Sequence, residues 1–412
     1  MSTDHQLETA FGTFTLERFP KPTAAAGKQQ PLRAWDAADE LLLQWLDEQR
    51  SCLPEQPRTL ILNDSFGALT TALNLWPCWS QTDSLLAHEG CVQNLQANIA
   101  DPTAARARLL TSLQWPQPTL QLVVIKIPKT LSLLEDQLFH LRHVVDENTV
   151  VVAGAMTKNI HNSTLELFER ILGTTTTSLA KKKARLVFCQ LQPSRWQGQP
   201  LSSRQSPSSR QSPYPSQYQV PEFPFAIHNA ANVFSRGGLD IGTRFLLEHF
   251  PQLPSAQTII DLGCGNGLLG IQAKHLHPHA RVQFVDESYM AIDSARLNVN
   301  AAYAVGYIND INTSDSDAST TEFLVNNSLA GMESEQADLI VNNPPFHQQT
   351  VIGDHIAWQM FIDAKRVLRQ GGQLWVVGNR HLDYHLKLKR LFGRCDIVAA
   401  NRKFVILRAS KR

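Results

Sequence analysis

Asn343-Pro344-Pro345-Phe346 follows Asp261-Leu262-Gly263-Cys264-Gly265-Asn266-Gly267 by about 80 residues. The first motif of the two in chain order, rich in glycine, reads as a turn between a strand and a helix. There a nucleotide-like ligand can approach the backbone closely. The tetrad offers a fixed amide, a fixed carbonyl and an aromatic face. An aromatic amine delocalises its lone pair into the ring. The Asn343 side-chain oxygen and the Pro344 carbonyl accept its two hydrogens and turn that lone pair toward an electrophile, while proline keeps the carbonyl still. Phe346 supplies a stacking face for a base removed from its helix. No metal and no strong general base are required. In this order and at this spacing the pair suits methyl transfer from S-adenosyl-L-methionine to a planar NH2 nitrogen.

Further residues fill out the cofactor site. Asp261 closes its strand, and Gly263, Gly265 and Gly267 leave room against the turn. The dinucleotide fingerprint G-x-G-x-x-G is not met, because Leu268 stands at its sixth position, so no seat for a pyrophosphate is expected. Asp286, nineteen residues past Gly267, ends the next strand, where a carboxylate accepts both ribose hydroxyls. Asn327 closes a third strand and has two readings, the adenine edge or the cap of a turn. His347, just past the tetrad, either contacts the substrate or is a solvated loop histidine. Arg236 and Asp240 either reach the cofactor's amino-acid end or, for Asp240, cap the helix that follows.

These residues need a scaffold that brings strand ends together. Strands read at 257–263, 281–287, 322–327, 337–343 and 373–378, alternating with helical stretches such as 290–300 and 357–369. That alternation implies βαβ units and a mostly parallel sheet. Residues 395–400 and 403–409 are separated by two residues only, too few for a parallel crossover, so an antiparallel hairpin ends the chain.

The first half repeats the pattern in worn form. Thr59–Asp64 reads as its first strand, followed by Ser65-Phe66-Gly67, with one glycine in place of three. Asp83 ends a second strand. Leu122–Lys129 takes the slot of the tetrad strand, with Lys129 at the second proline, and the spacing from Gly154 to His161 equals that from Gly378 to His385. The expected fold is therefore α/β, with two Rossmann-like class I methyltransferase domains from an internal duplication. The N-terminal copy is degenerate (1–192), because Ser65 and Phe66 block a cofactor's approach. The C-terminal copy is catalytic (222–412). Between them, 193–221 is rich in Ser, Pro, Gln and Arg with a tandem hexapeptide, and reads as a linker.

Composition sets wider bounds. The 412 residues exceed what one core usually serves, and no apolar run approaches the roughly 20 residues of a membrane span. Six scattered cysteines with no C-x-x-C pair argue against zinc and against a disulfide framework, which fits a cytoplasmic protein. The net charge of +1 signals no global affinity for polyanions. Positive charge is local: Lys181, Lys182 and Lys183, then 387–390, then a tail holding Arg402, Lys403, Arg408, Lys411 and Arg412. Next to a nucleotide-modifying site such clusters are candidate contacts to RNA phosphates.

The segment Asn232–Thr243, the D-L-G-C-G-N-G turn, Val285–Ser288 and N-P-P-F-H resemble the small-domain class I methyltransferases. A degenerate copy ahead of a catalytic one resembles the bacterial ribosomal RNA guanine-N2 methyltransferases. Leu16–Pro20, Ala34–Glu40, Leu62–Ala68 and Lys126–Thr130 are similar to the large-subunit branch of that family rather than the small-subunit one. The resemblance implies transfer to N2 of one guanine in 23S ribosomal RNA, with the N-terminal copy contributing RNA recognition. Two other readings stand beside it. One is a protein-glutamine methyltransferase acting on release factors, which uses a similar tetrad. The other is a non-enzymatic RNA-binding protein.

Overall fold

A computed structural model describes residues 5–21, 33–99, 106–197, 212–235, 237–309, 320–345 and 351–412. Most of the Ser/Pro repeat, Arg236, Phe346 and His347 lie outside the described residues. The chain divides into two compact units, Met1–Tyr214 and Pro215–Arg412. The linker is therefore shorter than 193–221: Pro193–Gln197 is helical, Tyr214 bonds Glu135 within the first unit, and Ser216–Tyr218 is already a strand of the second.

Each unit is built on a seven-stranded sheet. The first holds β1 (Thr59–Leu62), β2 (Cys78–Thr82), β3 (Arg108–Thr111), β4 (Leu122–Lys126), β5 (Val150–Met156), β6 (Gly173–Thr177) and β7 (Ala184–Leu191). The second holds β8 (Thr258–Leu262), β9 (Arg281–Asp286), β10 (Thr321–Val325), β11 (Ala337–Asn342), β12 (Leu368–Asn379), β13 (Asp396–Ala400) and β14 (Phe404–Ser410). The orders are β3-β2-β1-β4-β5-β7-β6 and β10-β9-β8-β11-β12-β14-β13. In both, the first five strands run parallel and the last hairpin is antiparallel. The strand order reverses between β8 and β11. In an open parallel sheet, the carboxyl ends at such a switch point are where ligands bind.

The sequence forms these strands because both faces must be covered. Ile259, Ile260 and Leu262 of β8 are buried, as are Leu60, Ile61 and Leu62 of β1. In the second unit Leu246, Leu268, Ile292 and Val299 cover one face, and Phe361, Ala364 and Leu388 the other. Continuous apolar strands are the signature of that arrangement.

The duplication extends to individual hydrogen bonds. Gly67 and Gly267 both cap the following helix in the left-handed region, at φ 76° and 82°. A β-carbon on either would come within 2.8 Å of Cys91 or 2.9 Å of Ala295, so only glycine fits. Asn94 exchanges two bonds with the Glu17 backbone and donates to the Phe66 carbonyl. Asn298 makes the same three bonds, to the His228 backbone and to the Asn266 carbonyl. Two unrelated α/β domains have no reason to share a buried three-bond latch.

Strand registers correct three of the sequence correspondences. Leu62 pairs with Ile125 and Leu262 with Asn342, which sets Lys126 at the place of Asn343 and Ile127 at that of Pro344. Pro128 thus matches Pro345, and it is the first proline that the N-terminal copy lacks, not the second. Ala153 pairs with Ile125 and Val376 with Asn342, so Gly154 corresponds to Val377 and not to Gly378. The equal Gly-to-His spacing is a coincidence between residues on opposite sheet faces: Gly154 meets Leu42, Gly378 meets Tyr384. Finally, β2 ends at Thr82, and Thr82 stands where Asp286 does: each side chain accepts the backbone N–H two residues on. Asp83 lies one residue further, buried and bonded to Ser112.

Candidate active site

The turn after β8 is held from both sides. The Asp286 carboxylate accepts the Gly265 N–H at 2.9 Å and the Ser288 N–H at 3.0 Å. Gly265 has φ 54°, and nothing lies within 4 Å of where its β-carbon would be. This open space beside a carboxylate is the cradle that the sequence assigns to the cofactor, and the residues present fit such a group. In the first unit Ser65 occupies the same place, and the neutral Thr82 stands at β2's end where the second unit has the acid Asp286.

Asp261 does not face that cradle. It is fully buried and accepts the Gly270 N–H at 2.7 Å, while its other oxygen has no partner among the described residues. Burial pushes its carboxyl up to about 8, and the nearby Asp286 adds to the rise. Its place is to hold the helix that follows the turn. The first unit does this from another position: Ile61 replaces Asp261, and Asp64 accepts the N–H groups of Ala68 and Thr70.

Asn343 follows β11 at the switch point. Its Nδ2 donates to Asp240 Oδ2 at 3.1 Å and to Thr243 Oγ1 at 2.9 Å. Asp240 also caps the helix Ile241–Leu247 through the Thr243 N–H at 2.8 Å. An ionised carboxylate only accepts, so the amide nitrogen must face it. The amide is thereby fixed in one orientation, and Oδ1 is left buried without a partner among the described residues. Of the two readings for Asp240, helix capping is what the structure displays, with the hold on Asn343 in addition.

The same three positions exist in the first unit with other chemistry. Asp36 caps the helix Ala37–Glu48 and Asp39 closes its capping box. They correspond to Asp240 and Thr243. Lys126, at the place of Asn343, contacts both carboxylates at 2.7 Å. Burial raises the Asp39 carboxyl to about 6 against the opposing pull of Lys126.

The remaining sequence candidates fall as follows. Asn327 is half-buried at the carboxyl end of β10; its neighbour Asn326 is the one that bonds the turn, at the Ala330 carbonyl. Lys181 and Lys182 are engaged within their own unit, Lys181 with Gln44 and Lys182 with Glu40 at 2.8 Å. Lys183 is exposed with φ 62°. Sequence reasoning missed Thr243 and Asn298. The signal for Thr243 was its spacing of three from Asp240, the first and fourth positions of a capping box. For Asn298 no local signal exists, since its partners lie 70 and 32 residues away.

A family model described as "RLMG N-terminal domain" matches residues 4–193, and one described as "Methyltransferase small domain" matches 224–408. A protein of Erwinia tasmaniensis named ribosomal RNA large subunit methyltransferase G is 48% identical over 98% of this chain and 99% of its own. A Klebsiella pneumoniae protein of the same name is also 48% identical, over 98% of each. The chain belongs to the ribosomal RNA large subunit methyltransferase G family. Among solved structures, a T. thermophilus 16S rRNA N2 G1207 methyltransferase, in complex with AdoMet and guanosine, matches the whole fold. Its TM-score is 0.68 at 19% identity, covering 100% of this chain and 99% of that one. The family's N-terminal and small-domain parts coincide with the two units found by contact.

Proposed function

We propose that this protein transfers a methyl group from S-adenosylmethionine to the exocyclic N2 of a guanine in 23S ribosomal RNA. The observation that carries the reading is the buried Oδ1 of Asn343, unpartnered among the described residues. Its amide nitrogen is used up on Asp240 and Thr243, so the oxygen is aimed and waiting for a donor. A guanine N2 amine has two hydrogens to give. Asn343 Oδ1 takes one and the Pro344 carbonyl, held by the proline ring, takes the other. With both hydrogens held in place, the amine's lone pair is directed out of the base plane. Neither acceptor has to reorganise during reaction, which is where preorganised groups contribute most.

Gly263, Gly265 and Gly267 line the cofactor's place, with Asp286 at the ribose and Asn327 at the adenine edge. S-adenosylmethionine supplies there an electrophilic methyl on a sulfonium. No strong base is needed, because the amine sheds its proton after alkylation. Phe346, the last residue of the tetrad, stacks on the flipped base. His347 and the cluster Lys181, Lys182 and Lys183 are weaker candidates for RNA contact, the first two lysines being engaged locally.

A glutamine side-chain amide would meet the same two acceptors. The family's names and the full α/β duplicate in residues 4–193 favour RNA over a release factor. Labelled methyl transfer to 23S rRNA, 16S rRNA and purified release factor discriminates among the substrates. Label in N2-methylguanosine from digested 23S rRNA is the expected result. Label in release factor or in 16S rRNA alone would overturn the reading.

A further inference from the structure

We infer that the exposed corner formed by Arg380, Arg402 and Lys403 holds the phosphates of the RNA strand carrying the target nucleotide. The inference rests on the RNA substrate proposed above and adds where its backbone is gripped. Arg402 and Lys403 form the tip of the β13–β14 hairpin. Asn401 fixes that tip by accepting the N–H groups of Lys403 at 2.9 Å and Phe404 at 2.7 Å. The Arg380 N–H donates to the Lys403 carbonyl at 3.0 Å, and its guanidinium reaches the Asn401 carbonyl at 3.3 Å. Three cations are thus presented from a braced loop, all exposed, with no carboxylate partner among the described residues.

The corner adjoins the catalytic asparagine through a short chain of contacts. Phe404 is buried against Gly242, where a β-carbon would come within 3.2 Å of its ring. Gly242 precedes Thr243, which holds Asn343. Ile241, on the other side of Gly242, is 63% exposed and adds an apolar contact for a base. Phosphate-gripping cations next to an apolar face are what a splayed RNA strand requires. Two other basic residues of the tail are committed elsewhere. Arg408 pairs with Asp396 at 3.0 Å, and Lys411 pairs with Glu335 at 3.2 Å and bonds the Leu368 carbonyl.

The first unit has the same tip. Lys183 accepts the Thr157 N–H at 2.7 Å as Lys403 accepts that of Arg380, and Lys181 occupies the place of Asn401. There, however, Lys181 and Lys182 lie on Gln44 and Glu40. Charge alone does not separate the tips. A carboxylate does: Lys182 has Glu40, whereas Arg380, Arg402 and Lys403 have none among the described residues, Lys403 lying instead over the Phe404 ring at 5.1 Å.

The test is equilibrium binding of a 23S rRNA transcript by the full chain across a salt series. Arg402→Ala/Lys403→Ala should lower the log–log salt slope by about 1.4, or about 0.7 per phosphate contact in a single strand. Arg402→Lys/Lys403→Arg should restore the slope, which a merely misfolded tip would not. S-adenosylmethionine affinity, measured on the same samples, should not move. An unchanged slope in the double alanine variant would overturn the inference. So would a fall confined to a Lys181→Ala/Lys182→Ala/Lys183→Ala variant. The proposed function is tested separately by Asn343→Ala, which should lose turnover while keeping the wild-type slope.

Discussion

Lys126 and Asn343 occupy one position in two copies of a fold, and their surroundings differ in one respect. Around Lys126 each polar group is answered: the ammonium meets Asp36 and Asp39, each at 2.7 Å. Around Asn343 the nitrogen is answered and the oxygen is not. The same contrast recurs at the turn. In the first unit Arg18 lies over the Phe66 ring of the turn at 4.9 Å. In the second, Asn266 bonds Asn229 at 3.0 Å, and the space over Gly265 stays open. The copy that closes its polar groups on itself has a structural site. The copy that leaves an aimed acceptor and open space over Gly265 is equipped to receive a ligand, at the stability cost that a buried unpaired group carries.

The largest break in this comparison should come from Asn343→Ala. Turnover is expected to fall on the order of 10²–10³-fold with cofactor affinity nearly unchanged, the cost of one preorganised polar group. Thr243→Ala, which frees one side of the amide clamp, should move kcat in the same direction by less. Single-turnover methyl transfer with saturating cofactor reads both, and a near-normal rate in Asn343→Ala would remove the amide from the mechanism.

Lys126→Ala should instead act on stability. It leaves two carboxylates, one of them buried, without their cation, for an expected loss of about 3 kcal/mol in the first unit. Amide hydrogen exchange of β1 and β4 measures it. A similar slowing of catalysis without loss of protection would mean that the triad serves the active copy rather than its own fold.

Asn94→Ala and Asn298→Ala sharpen the comparison, because the two residues make matching bonds. Each should destabilise its own unit by about 1–3 kcal/mol, read by the same exchange experiment. Only Asn298→Ala should weaken S-adenosylmethionine binding, since only its turn frames an open cradle. Calorimetry on both variants tells a shared structural latch from one tuned to the ligand.

The last expected effect is a pH slope. The Asp261 carboxyl sits near 8 in the folded chain, against about 4 when unfolded. Between these values the folded state keeps a proton that the unfolded state releases. Stability should therefore fall as pH rises from about 4 to about 8 and level off above, by at most about 1.4 kcal/mol per pH unit. Asp261→Asn keeps the acceptor for Gly270 and should flatten the slope. Denaturation midpoints of both proteins over that range check the sign.

Much of this was legible in the residues themselves. The alternation of apolar strands with helical stretches gave both sheets, and the two-residue gap near Asn401 gave the closing hairpin within a residue at each end. Glycine spacing marked the turn, and the tetrad marked the acceptors, because such features depend on local backbone geometry. The Ser/Pro repeat was visible by composition, yet its borders were set too wide, since contacts such as Tyr214 with Glu135 lie 79 residues apart.

The correspondences between the copies were decided elsewhere. Side chains alternate between faces along a strand, so a shift of one residue exchanges core for core. Identical spacing thus suggested Gly154 with Gly378, while ladder hydrogen bonds pair Gly154's place with Val377. The clamp on Asn343 needs a helix cap 100 and 103 residues upstream, and no local pattern brings Asp240 and Thr243 to that amide. Nor does sequence separate a lysine with a carboxylate neighbour from an arginine without one, which divides Lys182 from Arg402. Residue type and spacing determined which chemistry this chain can perform. Which atoms of the equipped copy are left free was decided by packing, since only tertiary contact determines which polar groups find partners.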